Sequence, residues 1–435
     1  GPTARLIYTT NGGAEIRQPI PIFSIFLSGW RRWRLAGMLH PAHRQPETRQ
    51  GIMVHRTNVA GAARSWFTAT RRQASGLAAL CCVVSTSTMA ADAGISVIDN
   101  PAYTHAQRLV EVEPGRRLNL YCVGSGSSTV IFEAGMGVEA GTWGLVQPGI
   151  AQHTRACSYE RAGLGFSDPA NRPGTAANAV DDLHRLLAAA DVKPPYVLVG
   201  HSYGGMIVRL YADLHPKDVV GMVLVDTAKE DWPTTYWKLD PEQHAWQSLW
   251  DDVFSDHSMS VKQDQKCVGA ARASALAKGS PLYDQCVPPA FPKYGKALND
   301  AYAKLHVSPA FRAASLSEDA NMYAASADQV RAARRWYGDM PLIVLTQVYP
   351  TVMPKNVPPG ETQAHWTAES RAQLALDDQL AALSRKGEVR PIENTMHYIQ
   401  LQQPEAVTKA VLDVLGDAAK QVDRGATPSS AAKGS

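Results

Sequence analysis

The chain has 435 residues, 45% of them hydrophobic and 19% charged, with a formal net charge of +3. That balance excludes a chain too polar to fold and fits a globular protein with a sizeable core, in one large domain or two to three ordinary ones. The charge is uneven: residues 1–91 hold 11 Arg, no Lys and only Glu15 and Glu47 as acids, so the remainder is mildly acidic and offers no electrostatic case for nucleic-acid binding.

In chain order, residues 71–91, "RRQASGLAALCCVVSTSTMAA", give an Arg pair, an apolar stretch and then small residues, the order of a secretory signal. The apolar run from Gly76 to Val84 is far shorter than the roughly 20 residues of a membrane span. Residues 1–91 are therefore expected to be a leader, disordered or removed, with Met53 a sensible true start. The body is expected to be exported, to a periplasm or the medium. "TRRQAS" is a weak twin-Arg match, lacking the usual apolar residue after the pair, and the bulky residue before Cys81 and before Cys82 argues against lipid attachment. Outside the leader lie Cys122, Cys157, Cys267 and Cys286. An even number in an exported body suggests disulfides, and four cysteines allow three pairings.

"RRLNLYCVG" (116–124) alternates like a half-buried strand, and the "GSGSS" after it reads as a flexible turn. Short apolar runs bounded by glycine follow at 129–135, 155–160, 196–200, 219–226 and 341–346; such runs suit buried parallel strands. Helical patterns at 175–192 and 205–216 lie between them, and alternating strands and helices give an α/β fold with a mostly parallel sheet flanked by helices. The regularity breaks over 227–340, read as an inserted helical cap with aromatic residues Trp232, Tyr236, Trp237, Trp246 and Trp250. These form either the cap's own core or a pocket wall, and Trp143 is open to the same two readings. A Pro-rich loop (347–361), a helix through 364–384 and a last strand (388–393) follow. The core thus comprises 92–226 and 341–417, with a flexible polar tail over 418–435.

"GHSYGG" satisfies G-x-S-x-G through Gly200, Ser202 and Gly204, after a strand and before a helix. On such a sharp turn the flanking glycines let strand and helix approach, Ser202 is a candidate nucleophile, and the Tyr203 N–H points where an oxyanion would form. With "YERAGLGFSD" (159–168) and "HYIQLQQPE" (397–405) in the expected order, the body from 105 to 415 resembles the α/β-hydrolase superfamily, in an exported serine-esterase-like branch with a helical cap.

That resemblance implies further assignments. The strand ending in "FEAGMG" (132–137) would deliver the second oxyanion donor, the Met136 N–H, although the usual His of that segment is missing. A serine needs a base, and His397, after the last strand, is the candidate ahead of His365. His201 is a poor base, because adjacent side chains on the elbow point apart. The loop after "PLIVLT", where many relatives carry the acid, contains no acid before Glu361. The acid is therefore assigned to Asp226, at the end of "VVGMVLVD", with Glu230 and Asp231 as alternatives. Arg161, Ser167 and Asp168 are read as fixing their loop. The strand order implied places Cys122 beside Cys157, and Cys267–Cys286 would staple the cap.

The reading is a serine hydrolase that cleaves a small carboxylic ester through an acyl-enzyme, with no cofactor, no metal site, no nucleic-acid partner and no stable membrane span. Ser202 in place of Asp separates it from epoxide hydrolases and dehalogenases of this fold. Oligomeric state and acyl preference stay open. An aminopeptidase or amidase, for which Asp251, Asp252 and Asp256 are cap acids, a lactonase, and a non-catalytic binding protein are the alternatives.

Overall fold

The computed structural model describes residues 96–232, 235, 263–348 and 362–426. The expected leader, four of the cap aromatics (Tyr236, Trp237, Trp246, Trp250) and the acids Asp251, Asp252 and Asp256 lie outside the described residues.

Eight strands form one sheet: β1 Arg108–Glu113, β2 Arg116–Val123, β3 Thr129–Glu133, β4 Arg155–Tyr159, β5 Tyr196–His201, β6 Val219–Val225, β7 Leu342–Gln347 and β8 Gly387–Ile392. Their order is β1-β2-β4-β3-β5-β6-β7-β8. β1 and β2 pair antiparallel, as do β2 and β4, and every pairing from β4 to β8 is parallel. This is the α/β architecture expected from the alternating runs.

The continuous apolar runs are explained by burial on both faces. Ile131, Leu198, Met222, Leu224, Leu342 and Val344 enter one cluster with helices Ala176–Ala189 and Tyr203–Leu214. Their strand neighbours Val130, Phe132, Val197, Val199, Val223, Val225, Ile343 and Leu345 enter a second, with the final helix. Successive side chains point to opposite faces, so a strand covered on both sides must be apolar at every position. Each such Val, Leu or Ile contributes about 1.5–3 kcal/mol. Trp143 is fully buried against Phe132, with ring centroids 5.0 Å apart, and so serves packing.

Between β6 and β7 the described residues 263–333 carry helices joined by short loops, including Pro281–Cys286, Lys296–Leu305, Pro309–Asn321 and Ala327–Ala333. The π-turn Met322–Ser326 bends the last pair at Ala324. Cys267 is bonded to Cys286 within this insertion. Cys122 is bonded to Cys157, its directly opposite partner in the β2–β4 register. The final helix, Pro404–Ala426, corrects one boundary: it runs through 418, where the sequence analysis starts a flexible tail. Val407, Ala410, Val411, Val414 and Ala418 are buried along one face, so the apolar stripe carries the helix past that point. No helix among the described residues is long and apolar enough to cross a membrane.

Candidate active site

The chain leaves β3 to form β4 on one side, then returns to place β5 on the other. Carboxyl ends of strands at such a switch point open a crevice, and the predicted residues gather there. Ser202 sits at φ 56°, ψ −123°, between β5 and the helix that begins at Tyr203. A left-handed non-glycine residue costs about 1–3 kcal/mol and persists only where its surroundings enforce it. Here the enforcement is close packing. A Cβ on Gly200 would lie 2.6 Å from the Gly204 carbonyl oxygen, and one on Gly204 would lie 2.5 Å from the carbonyl oxygens of Glu133 and Ala134. Because those atoms are backbone, Gly204→Ala is expected to destabilise the fold by about 1–3 kcal/mol. Urea denaturation would show a lower midpoint at an unchanged slope; an unchanged midpoint would mean that the elbow relaxes freely.

The acid loop is tied to the elbow by backbone bonds. Ser202 N–H donates to Val225 O at 3.2 Å, and Ala228 N–H donates to Ser202 O at 2.9 Å. Asp226, itself at φ 40°, accepts a 2.7 Å hydrogen bond from His397 Nδ1 on its Oδ2. His397 lies after β8, and its carbonyl oxygen accepts a 2.8 Å bond from His201 Nε2. Burial resists ionisation of Asp226, but the bond and charge of His397 hold its carboxyl below the usual range. The bond to Asp226 engages Nδ1 of His397 and so orients the imidazole ring. Burial, and then the neighbouring His397, push His201 down to about 3.

The other acids are engaged elsewhere. Glu230 accepts from Arg209 at 2.5 and 3.0 Å and from Arg334 at 2.6 Å. Burial opposes that ionisation, yet Arg209 and then Arg334 bring Glu230 down to about 2. Asp231 pairs with Arg331 and Arg334 at 3.0 and 2.8 Å. His365 falls in helix Gln363–Ala381, its side chain outside the described residues.

The turn after β3 adjoins the serine: a Cβ on Gly135 would lie 3.3 Å from Ser202 Cβ. Met136 is half-buried there, so both candidate oxyanion segments, at Met136 and Tyr203, flank Ser202. Ser202 Oγ makes no hydrogen bond among the described residues.

In the loop after β4, Ser167 and Asp168 hold the turn as expected, whereas the Arg161 guanidinium does not: it bonds to Glu133, Ala134 O, Gly135 O and Glu318, all outside the loop. Ser167 Oγ donates to Glu160 O at 2.6 Å, and Asp168 pairs with Arg117 at 3.1 Å. Glu160 accepts from Phe166 N–H at 2.6 Å and Asn119 Nδ2 at 3.1 Å, both on Oε2. Burial nevertheless pushes it up to about 8. The folded state thus holds a proton that the unfolded state releases, so this stabilisation is full in acid and is lost as pH rises from the ordinary glutamate range toward 8. Glu160→Gln keeps the acceptor and removes the titration. Its thermal midpoint is expected to gain on the parent's between pH 5 and 8; a constant difference would contradict the buried-acid assignment.

Residues 129–260 match the alpha/beta hydrolase fold family. The chain is 44% identical over 108 residues to uncharacterized protein YqjL of Bacillus subtilis (strain 168), covering 25% of this chain and 43% of that protein. It is 32% identical over 127 residues to 2-hydroxymuconate semialdehyde hydrolase of Pseudomonas sp. (strain CF600), covering 28% and 44% respectively. The matched stretch thus spans less than half of either relative. The crystal structure of wild-type DBJA superposes with a TM-score of 0.50 at 15% identity, over 72% of this chain and 99% of that one, a likeness of fold alone. The observed sheet and this superposition show an α/β-hydrolase fold.

Proposed function

We propose that the chain is an exported serine hydrolase that cleaves a small carboxylic ester. Ser202 Oγ attacks the acyl carbon while His397 Nε2 takes its proton. The tetrahedral intermediate collapses, the ester C–O bond breaks, and the leaving alcohol carries that proton away. A water, deprotonated by His397, then attacks the acyl-enzyme; the acid is released and Ser202 regains its proton. Asp226 stays ionised throughout, orienting His397 and stabilising its cation. The N–H groups of Met136 and Tyr203 would hold the developing oxyanion, each worth about a hundred- to a thousand-fold in rate.

The observation that carries this reading is the 2.7 Å bond between His397 Nδ1 and Asp226, made beside a left-handed Ser202. Candidate catalytic bonds commonly tighten only with substrate in place, so the lone Ser202 Oγ is compatible with it. Two disulfides, Cys122–Cys157 and Cys267–Cys286, support an oxidising compartment. The test is a panel of p-nitrophenyl esters, matched anilides and lactones, each run beside the Ser202→Ala variant. Serine-dependent turnover of esters well above anilides is expected; anilides preferred over esters would replace the esterase by an amidase.

A further inference from the structure

We propose that Arg161 is a positioning residue for the oxyanion turn, and that the insertion between β6 and β7 controls it through Glu318. This rests on the serine-hydrolase reading, since it assigns what holds the oxyanion donors in place.

Arg161 is buried, and all five of its N–H groups are used. Nε donates to Glu318 Oε1 at 2.6 Å. Nη1 donates to Glu133 Oε1 at 2.6 Å and to Ala134 O at 2.9 Å. Nη2 donates to Gly135 O at 2.7 Å and to Glu318 Oε2 at 2.9 Å. The bond to Gly135 O matters most. The Gly135 carbonyl and the Met136 N–H belong to one planar trans peptide and point in opposite directions. By fixing the carbonyl, the guanidinium fixes the direction of the donor. A rigid planar fork suits that task as an ammonium does not.

Glu318 adds a second hold on the same turn, accepting the Gly137 N–H at 2.8 Å on Oε2. It belongs to helix Pro309–Asn321 of the insertion, which fits against glycines of the core. A Cβ on Gly137 would meet Ser315 Oγ at 2.7 Å, one on Gly163 would meet Ala314 Cβ at 2.6 Å, and one on Gly174 would meet Glu318 Cγ at 2.8 Å. Gly137 and Gly163 also have φ of +61° and +81°, so glycine is required there twice over.

The other oxyanion segment is tied to the insertion independently. Ala176 N–H donates to Ser326 Oγ at 2.9 Å, Ser326 Oγ and Tyr203 Oη lie 2.9 Å apart, and Tyr203 Oη donates to Gly174 O at 3.1 Å. The hydroxyl protons then run one way, from Ser326 to Tyr203 and from Tyr203 to Gly174. Both residues whose N–H groups would face the oxyanion are therefore braced by one stretch of the insertion, residues 318–326, with the Arg161 guanidinium 5.8 Å from the Tyr203 ring centre. Oxyanion stabilisation depends on donors being aimed before charge develops, so seating of the insertion becomes a condition for full turnover.

The experiment compares the full chain with Glu318→Ala and Glu318→Gln. Two readouts are used: kcat and KM on a p-nitrophenyl ester, and amide hydrogen exchange of residues 135–138. Glu318→Ala is expected to lower kcat about 10- to 100-fold, part of the value of one oxyanion donor, with KM within about threefold, and to speed exchange at 135–138. Glu318→Gln keeps an acceptor and should recover part of both effects. A merely structural role would leave kcat of the folded variant unchanged, and that result overturns the proposal, as does unchanged exchange. If the parent shows no Ser202-dependent turnover, the hydrolase reading fails. The exchange then decides the brace alone: faster exchange upholds it, and unchanged exchange refutes it.

Discussion

Ser202→Ala is expected to lower kcat by about a million-fold, the scale seen when a triad nucleophile is removed, while leaving the fold intact. On the proposed mechanism the large loss follows from role: Ser202 forms the acyl-enzyme, and without it only the oxyanion donors and substrate binding would remain. Stability should be preserved for a local reason. Ser202 Oγ is buried and makes no hydrogen bond among the described residues, so its removal breaks none of those described. Alanine keeps the Cβ at φ 56°, and the backbone bonds to Val225, Gly205 and Ala228 are untouched. An unchanged urea midpoint beside abolished turnover is the expected pair. Turnover within tenfold of the parent would remove Ser202 from the chemistry.

Asp226→Asn is expected to cost about 10⁴-fold in kcat. An asparagine amide facing His397 Nδ1 favours the ring tautomer with its proton on Nε2, so the nitrogen needed as base arrives occupied. Side-chain volume hardly changes, and the substitution should still fold. Asp226 is also a stability element. Its folded pKa lies below the usual carboxylate range, so its contribution is present at neutral pH and is lost as pH falls through that lowered value; the variant should lose this acid sensitivity. Near-normal activity would exclude Asp226 as the acid, and the arginine partners of Glu230 and Asp231 leave neither with an evident path to His397.

The core strands were legible because burial on both faces leaves an unbroken apolar run, as in "YVLVG" and "VVGMVLVD". The edge strand β1, Arg108–Glu113, was not proposed. Its "RLVEVE" buries only Val110 and Val112 among the strand's exposed positions, a signal too weak to separate it from a loop. The elbow could be found because its glycines are demanded by backbone contact. The pairing of His397 with Asp226 was reachable only through the resemblance, since 171 positions separate them and spacing carries no record of such a contact. Arg161 was read as a loop residue. Nothing near it in sequence announces Glu318, 157 positions away, and a buried ion pair of that range becomes visible only once the insertion is folded against the sheet.

The central claim is that Ser202 is an activated nucleophile, and intact mass after exposure to a fluorophosphonate tests it most directly. The full chain and its Ser202→Ala variant are treated side by side. The account predicts one phosphonyl adduct, formed with loss of fluoride, on the parent and none on the variant. No adduct on either folded protein, or an equal adduct on both, would contradict it.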